Sequence, residues 1–210
     1  MSYYIASLVI LLLSMLPFFI RFEARKITSR EITLVATLTA LAIVSRGAFY
    51  LVPEVKPIGA VVIVSAVCLG AERGFIIGAL SAFLSNFIFG QGYWTPFQMV
   101  ALGMVGLISG LIFKAVKANR FTLAGVGFLL TAVVYGVIVD LSTVLMVSGD
   151  NLSIQAFLSV YTAGVPFSFA FGISSAVFLF LFGEAFIRKT ERIKTKYNLS
   201  QARVEPNRQK

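Results

Sequence analysis

The side chains that do most covalent chemistry in proteins are nearly absent from this sequence. It contains no histidine and a single cysteine, Cys68, which lies in an apolar run. Imidazole and thiolate metal sites, nucleophile pairs with histidine, and disulfides within the chain therefore cannot be built. The phosphate-binding loop G-x-x-x-x-G-K-[ST] is also absent, so the chain cannot hydrolyse ATP through that device. We expect no enzyme activity, no cofactor and no bound metal.

Polar and aromatic side chains gather instead around one turn, Gly90 to Pro96, with the sequence GQGYWTP. Its two aromatic residues present flat amphipathic faces, and an amide stands on either side of the turn. An aromatic anchor at a membrane surface would use the same rings. Amides that converge on one mouth favour a ligand-binding loop over an anchor. The candidate binding residues are Asn86, Gln91, Tyr93, Trp94 and Gln98.

Two charged residues, Arg46 and Asp140, lie inside apolar segments at similar distances from the outer ends of their predicted helices. A charge at membrane depth is costly, and such residues commonly face a partner, a cavity or a substrate. The two could form a structural ion pair, or both could contribute to the binding cavity. A third interpretation makes Asp140 a proton carrier.

The elements that must position these residues are membrane helices. Hydrophobic residues make up 58% of the sequence and charged residues 13%, with a mean hydropathy of +0.90. These values are far from those of an ordinary soluble domain. We predict an all-α integral membrane protein with seven spans, of which the third is short for a bilayer. The apolar blocks are Tyr3 to Ile20, Ile32 to Leu51, Ile58 to Gly70, Gly74 to Phe89, Phe97 to Phe113, Phe121 to Val147 and Val160 to Ile187.

Basic residues fix the predicted orientation. Sixteen of the 18 Lys and Arg residues fall in segments that would share one side of the membrane, at 21–31, 71–73, 114–120 and 188–210. The positive-inside rule makes that side cytoplasmic and the N-terminus external. We therefore predict a multi-pass protein of the plasma membrane. Its parts are an N-terminal helix with a basic connector (1–31), a six-helix domain (32–187) and a basic cytoplasmic tail (188–210). A basic tail beside anionic lipid needs no nucleic acid as a partner.

Small residues recur every four positions in two neighbouring spans. They are Gly74, Gly78 and Ala82 in one, and Gly106 and Gly110 in the next. Such spacing lets helix backbones approach closely in lipid. We interpret these residues as packing positions.

A second small-residue pattern, Ala36-Thr37-Leu38-Thr39-Ala40, follows the basic connector. Together with the six helices from Ile32 onward and the GQGYWTPFQM turn, it resembles the S-components of energy-coupling factor vitamin transporters. S-components are the substrate-binding membrane subunits of these transporters, and the sequence is most similar to the cobalamin-type branch. The resemblance covers roughly 31–187, and the helix before it is an addition to the six-helix core.

The resemblance implies a mechanism. An S-component captures a vitamin from outside and topples in the membrane to deliver it, driven by a transmembrane coupling protein and two cytoplasmic ATPase subunits. Ala36 and Ala40 would form the docking face for the coupling protein, although contact with another helix of the same chain would also use them. We expect cobalamin or a related corrinoid as the ligand. Riboflavin and folate are the alternatives within this class.

Two other function classes remain open at this stage. An ion-coupled secondary transporter would use Asp140 for its coupling ion, but the matching discontinuous helices expected of such a protein are not evident. A scaffold subunit would use the aromatic turn only as a membrane anchor.

Overall fold

Helices follow the apolar blocks of the sequence. The computed structural model describes residues 2–24, 28–52, 55–148 and 152–196, and all regular structure within these ranges is helical. Two π-helical segments, Leu130–Tyr135 and Leu179–Gly183, continue α6 into α7 and α8 into α9. The α-helices are α1 Ser2–Ala24, α2 Ser29–Ala48, α3 Ile58–Leu69, α4 Ala71–Phe89, α5 Thr95–Ala115, α6 Arg120–Leu129, α7 Gly136–Ser148, α8 Ile154–Phe178 and α9 Glu184–Lys196.

Five of these helical stretches are long and apolar enough to cross a membrane: Ser29–Ala48, Ala71–Phe89, Thr95–Ala115, Arg120–Ser148 and Ile154–Lys196. Two shorter apolar stretches, Ser7–Pro17 within α1 and Ile58–Leu69, complete the set in the described residues. All seven coincide with the predicted blocks. The prediction of an all-α membrane protein, with one helix before a six-helix core, is therefore confirmed.

The additional helix α1 belongs to the bundle. It packs against α4, α5 and α7. Its Met15 is buried, and Phe19 packs against the same apolar cluster as Val35 and Leu38 of α2. α1 therefore contributes to the cluster that contains the buried face of α2. The opposite face of α2 remains exposed within the described part of the chain.

Helices α4 and α5 make the most extensive contact in the bundle, and their glycines permit it. A Cβ atom on Gly78 would overlap the carbonyl group of Leu102, and one on Gly106 would overlap the backbone of Gly74. At the other end of α4 from the aromatic turn, Gly70 adopts φ = 92° in the tight turn between α3 and α4, a conformation that residues with a Cβ rarely adopt. The small-residue spacing was therefore correctly interpreted as close helix packing.

The short helix α3 has its carboxyl end secured by two cations. Arg73 Nη1 donates to the carbonyl of Leu69 at 2.7 Å, and Lys194 Nζ donates to the carbonyl of Cys68 at 2.6 Å. These bonds satisfy carbonyls that the helix end leaves without partners. Arg73 also forms an ion pair with Glu31 at the start of α2.

The last helix is longer at both ends than the predicted block. It begins at Ile154, where the Ser153 hydroxyl caps it by accepting from the N–H of Ala156 at 3.1 Å. It continues through α9 to Lys196, because the buried Thr190 and the bond from Lys194 hold α9 against α3. Part of the predicted basic tail is therefore helical. Residues 197–210 of that tail and 25–27 of the predicted connector lie outside the described residues.

Candidate functional site

The ends of three helices meet at the predicted mouth. Arg46 lies in the last turn of α2, Asn86 near the end of α4, and Gln98 in the first turn of α5. Helices α2 and α4 end on the same side of the bundle, where α5 begins. The backbone therefore brings these polar residues together, as the sequence predicted for Asn86 and Gln98.

Asn86 is the centre of this polar cluster and is only 1% exposed. Its Oδ1 accepts from Arg46 Nη1 at 2.8 Å, and its Nδ2 donates to Gln98 Oε1 at 2.8 Å and to Thr95 Oγ1 at 3.0 Å. Its amide is thus fully used in joining α2, α4 and α5. An unpaired buried amide would be costly. The role of Asn86 is therefore to hold its neighbours in place, and not to bind a ligand directly.

Arg46 and Gln98 provide donors at the edge of this cluster. Arg46 Nη1 also donates to Ser85 Oγ at 2.5 Å, and the guanidinium carbon lies 4.6 Å from the centre of the Phe89 ring. A cation over an aromatic face gains electrostatic stabilisation. The Nε2 group of Gln98 makes no hydrogen bond to any described residue, so it is available to a ligand.

The aromatic turn is fastened to the same cluster. The N–H of Gly92 donates to Thr95 Oγ1 at 3.2 Å, and Gly92 lies against the Trp94 ring. Tyr93 and Trp94 form an edge-to-face pair with ring centres 4.9 Å apart, and both are partly exposed. Gln91 Nε2 donates to the carbonyl of Phe83 at 3.1 Å. The turn therefore sets two rings beside the polar cluster.

Asp140 lies elsewhere. Its carboxylate contacts Gly164 across the interface of α7 and α8, and it lines a groove with Tyr161, whereas Arg46 bonds to α4. The ion pairs of the described residues include those of Arg73 with Glu31, Arg188 with Glu184 and Lys194 with Glu191. An ion pair between Arg46 and Asp140 is not present in that part of the chain. Similar depth along two helices does not fix the directions in which their side chains point.

Sequence reasoning missed three members of the polar cluster. They are Ser85, Thr95 and Phe89. Thr95 immediately precedes Pro96 at the first position of α5, where a hydroxyl can bond neighbouring backbone. Phe89 is three residues after Asn86, on the same side of α4.

Ala36 and Ala40 are exposed on the outward face of α2. The buried residues of this helix are Val35, Leu38, Thr39 and Ala42. The alanine pair therefore lies outside the buried face of α2.

The arrangement is suited to binding. It offers guanidinium and amide donors next to aromatic faces, with no nucleophile beside a base among the described residues of the cluster. Within the same described ranges, no group of three or more His, Cys, Asp or Glu side chains could hold a metal ion.

Comparison with known families identifies the class. The family model "ECF-type riboflavin transporter, S component" matches residues 26–188, which include α2 to α8 and leave out α1. No curated protein and no solved structure matches the chain significantly. The predicted S-component is confirmed by the family match. The cobalamin-type branch is not confirmed, because the matching family is that for riboflavin, one of the two alternative vitamins. This protein belongs to the family of ECF-type riboflavin transporter S components.

Proposed function

We propose that the chain captures riboflavin, or a closely related flavin, for an energy-coupling factor importer. The observation that carries this proposal is the riboflavin-family match across residues 26–188. The polar cluster of Arg46, Asn86 and Gln98 lies within that region. We propose it, with the aromatic turn, as the ligand site.

The chemistry of a flavin suits this cluster. Its flat ring system can stack on Tyr93 or Trp94, and its ring carbonyls and side-chain hydroxyls can accept from Gln98 Nε2 and the Arg46 guanidinium. Asn86 keeps those donors in place, and Gln91 lies at the rim. Corrinoids and folates would use similar groups, so the family match is what favours the flavin.

We further propose that the chain acts with a transmembrane coupling protein and two cytoplasmic ATPase subunits. As a family member it partners with other transporter components, and the exposed Ala36 and Ala40 support α2 as the docking surface. Small side chains there would let a partner helix approach closely.

The proposed orientation places the N-terminus and the turn at Gln91 outside the cell and the carboxyl tail in the cytoplasm. Arg73, Lys114, Lys117 and Arg120 cluster at the opposite end of the bundle from that turn, in agreement with the positive-inside rule. A cysteine at Gln91, in a Cys68→Ser background, should react with a membrane-impermeant maleimide in intact cells. Labelling only after lysis would reverse the orientation.

Trp94→Ala should weaken riboflavin binding roughly tenfold or more, because ring stacking and the cover it gives the site are lost together. Isothermal calorimetry on the detergent-purified chain measures this. Phe121→Ala is the matched control, because Phe121 is 72% exposed at the cytoplasmic end of the bundle. If Trp94 is only a membrane anchor, its loss lowers thermal stability while affinity stays within about twofold of the parent.

A further inference from the structure

A groove runs between α7 and α8 on the surface of the bundle. Its volume is about 460 Å³ and its walls are mainly apolar. Two glycines, Gly136 and Gly164, let the helices approach closely beside it. The lining residues are Ala132, Val133, Gly136, Val137, Asp140, Tyr161, Thr162, Val165, Pro166 and Ser168.

The polar side chains that line this groove are the carboxylate of Asp140 and the hydroxyls of Tyr161, Thr162 and Ser168. The carboxylate of Asp140 makes no hydrogen bond or ion pair with any described residue. Pro166 lies inside α8 and has no N–H, so the carbonyl of Thr162, four residues earlier, lacks its helical partner. The Tyr161 hydroxyl is already used, donating to the carbonyl of Val137 at 2.9 Å. The groove therefore holds a carboxylate without a partner among the described residues, and a backbone carbonyl without its usual helical donor, between mainly apolar walls.

The groove faces away from the segment that leads into α3. The N–H of Lys56 in that segment donates to Ser174 Oγ at 3.0 Å, on one side of α8. Val165 precedes Ser174 by nine residues, which is about 2.5 helical turns, so it points to the opposite side. Val133, Val137 and Val165 are all exposed, as expected of side chains that face lipid.

We propose that this groove binds a phospholipid with a primary ammonium headgroup, such as phosphatidylethanolamine. The ammonium donates to the Asp140 carboxylate and the Thr162 carbonyl, and the acyl chains lie along the exposed valines. Charge complementarity selects the headgroup. A choline headgroup carries the same charge but has no N–H to donate, and phosphatidylglycerol would bring a second negative charge to the carboxylate.

The carboxylate lies below the carboxyl end of α7. Asp140 lies eight residues before Ser148, the end of α7, which is about 12 Å along the helix. A carboxylate at that depth is costly without a partner. The site is separate from the polar cluster of Arg46, so the inference does not depend on which vitamin is bound.

The test compares lipids with matched acyl chains on the detergent-purified full chain, by native mass spectrometry and thermal unfolding. The parent should retain phosphatidylethanolamine at least about tenfold better than phosphatidylcholine or phosphatidylglycerol, as loss of charge-assisted hydrogen bonds predicts. Asp140→Asn should abolish that preference and leave riboflavin affinity unchanged. Val137→Trp, which fills the groove while keeping the carboxylate, should also reduce retention.

Three results would overturn the proposal. They are equal retention of the three lipids by the parent, an undiminished preference in Asp140→Asn, and lost riboflavin binding in Asp140→Asn with lipid retention intact. The third result would indicate that Asp140 belongs to the vitamin-binding site. If the parent shows no lipid preference and Asp140→Asn fails to assemble with the coupling protein, the groove holds a cationic side chain of that partner instead. A parent that binds the lipid selectively but no flavin would leave this site standing and contradict only the proposed vitamin.

Discussion

Replacing Ala40 by tryptophan should abolish vitamin uptake by the assembled transporter while leaving the affinity of the isolated subunit nearly unchanged. Ala36 and Ala40 lie one turn apart on the exposed face of α2, away from the buried Val35 and Leu38. A tryptophan there holds a partner helix away and closes the space that two small residues provide. Arg46 is more than one turn further along α2, so the ligand cluster should keep its geometry.

Uptake of labelled riboflavin into vesicles with the coupling protein and ATPases measures the first effect, and calorimetry on the purified subunit measures the second. Leu129→Trp on α6 is the control for adding a large side chain to the surface, because Leu129 is 58% exposed on a different helix. Vesicles without ATPases should show no accumulation. Accumulation without them would indicate an autonomous transporter, and equal loss of binding and uptake in Ala40→Trp would contradict a docking role.

Gly78→Leu should lower the melting temperature of the detergent-purified protein by roughly 5 to 10 °C, the range expected for an overpacked core in a chain of this size. The new Cβ would overlap the backbone carbonyl of Leu102, and a backbone cannot move aside as a flexible side chain can. The helices α4 and α5 would have to separate. Since Asn86 and Gln98 bond across that contact, riboflavin affinity should fall with stability.

Gly125→Leu provides the comparison. Gly125 is also helical, but nothing lies within 4 Å of the position that its Cβ would take. Its replacement should leave the melting temperature near that of the parent. If both leucine variants melt alike, the close contact of α4 and α5 is not what holds the bundle together.

The sequence predicted the features that depend on periodicity and on helix ends. Apolar length located the spans, and four-residue spacing identified the close helix pair at Gly78 and Gly106. The convergence of Asn86 and Gln98 followed from their positions on either side of one turn. In each case the helices concerned are consecutive along the chain and adjacent in space, so the local sequence pattern was sufficient.

Features that depend on the rotation of a helix about its axis could not be predicted in this way. Counting residues gave Arg46 and Asp140 similar depths, but the first points to Ser85 and the second into the groove with Gly164. The helical start of the basic tail was missed for a related reason. Its charge favoured a solvated segment, whereas Lys194 is used to cap the end of α3.

The identity of the vitamin was beyond the sequence pattern because amides and aromatic rings suit several ligands. Riboflavin, folate and corrinoids all present flat rings and polar edges, and Trp94 with Gln98 could serve any of them. The family match over residues 26–188 is what favours riboflavin as the proposed ligand.

Native mass spectrometry of the detergent-purified full chain, before and after addition of riboflavin, cobalamin and folate in equal amounts, tests the central claim most directly. The protein should carry one flavin per chain, and riboflavin should displace or exclude the other two vitamins. Trp94→Ala should lose most of that flavin under the same conditions. A chain that retains a corrinoid or a folate in preference to riboflavin, or that binds no flavin at saturating concentration, would contradict the account.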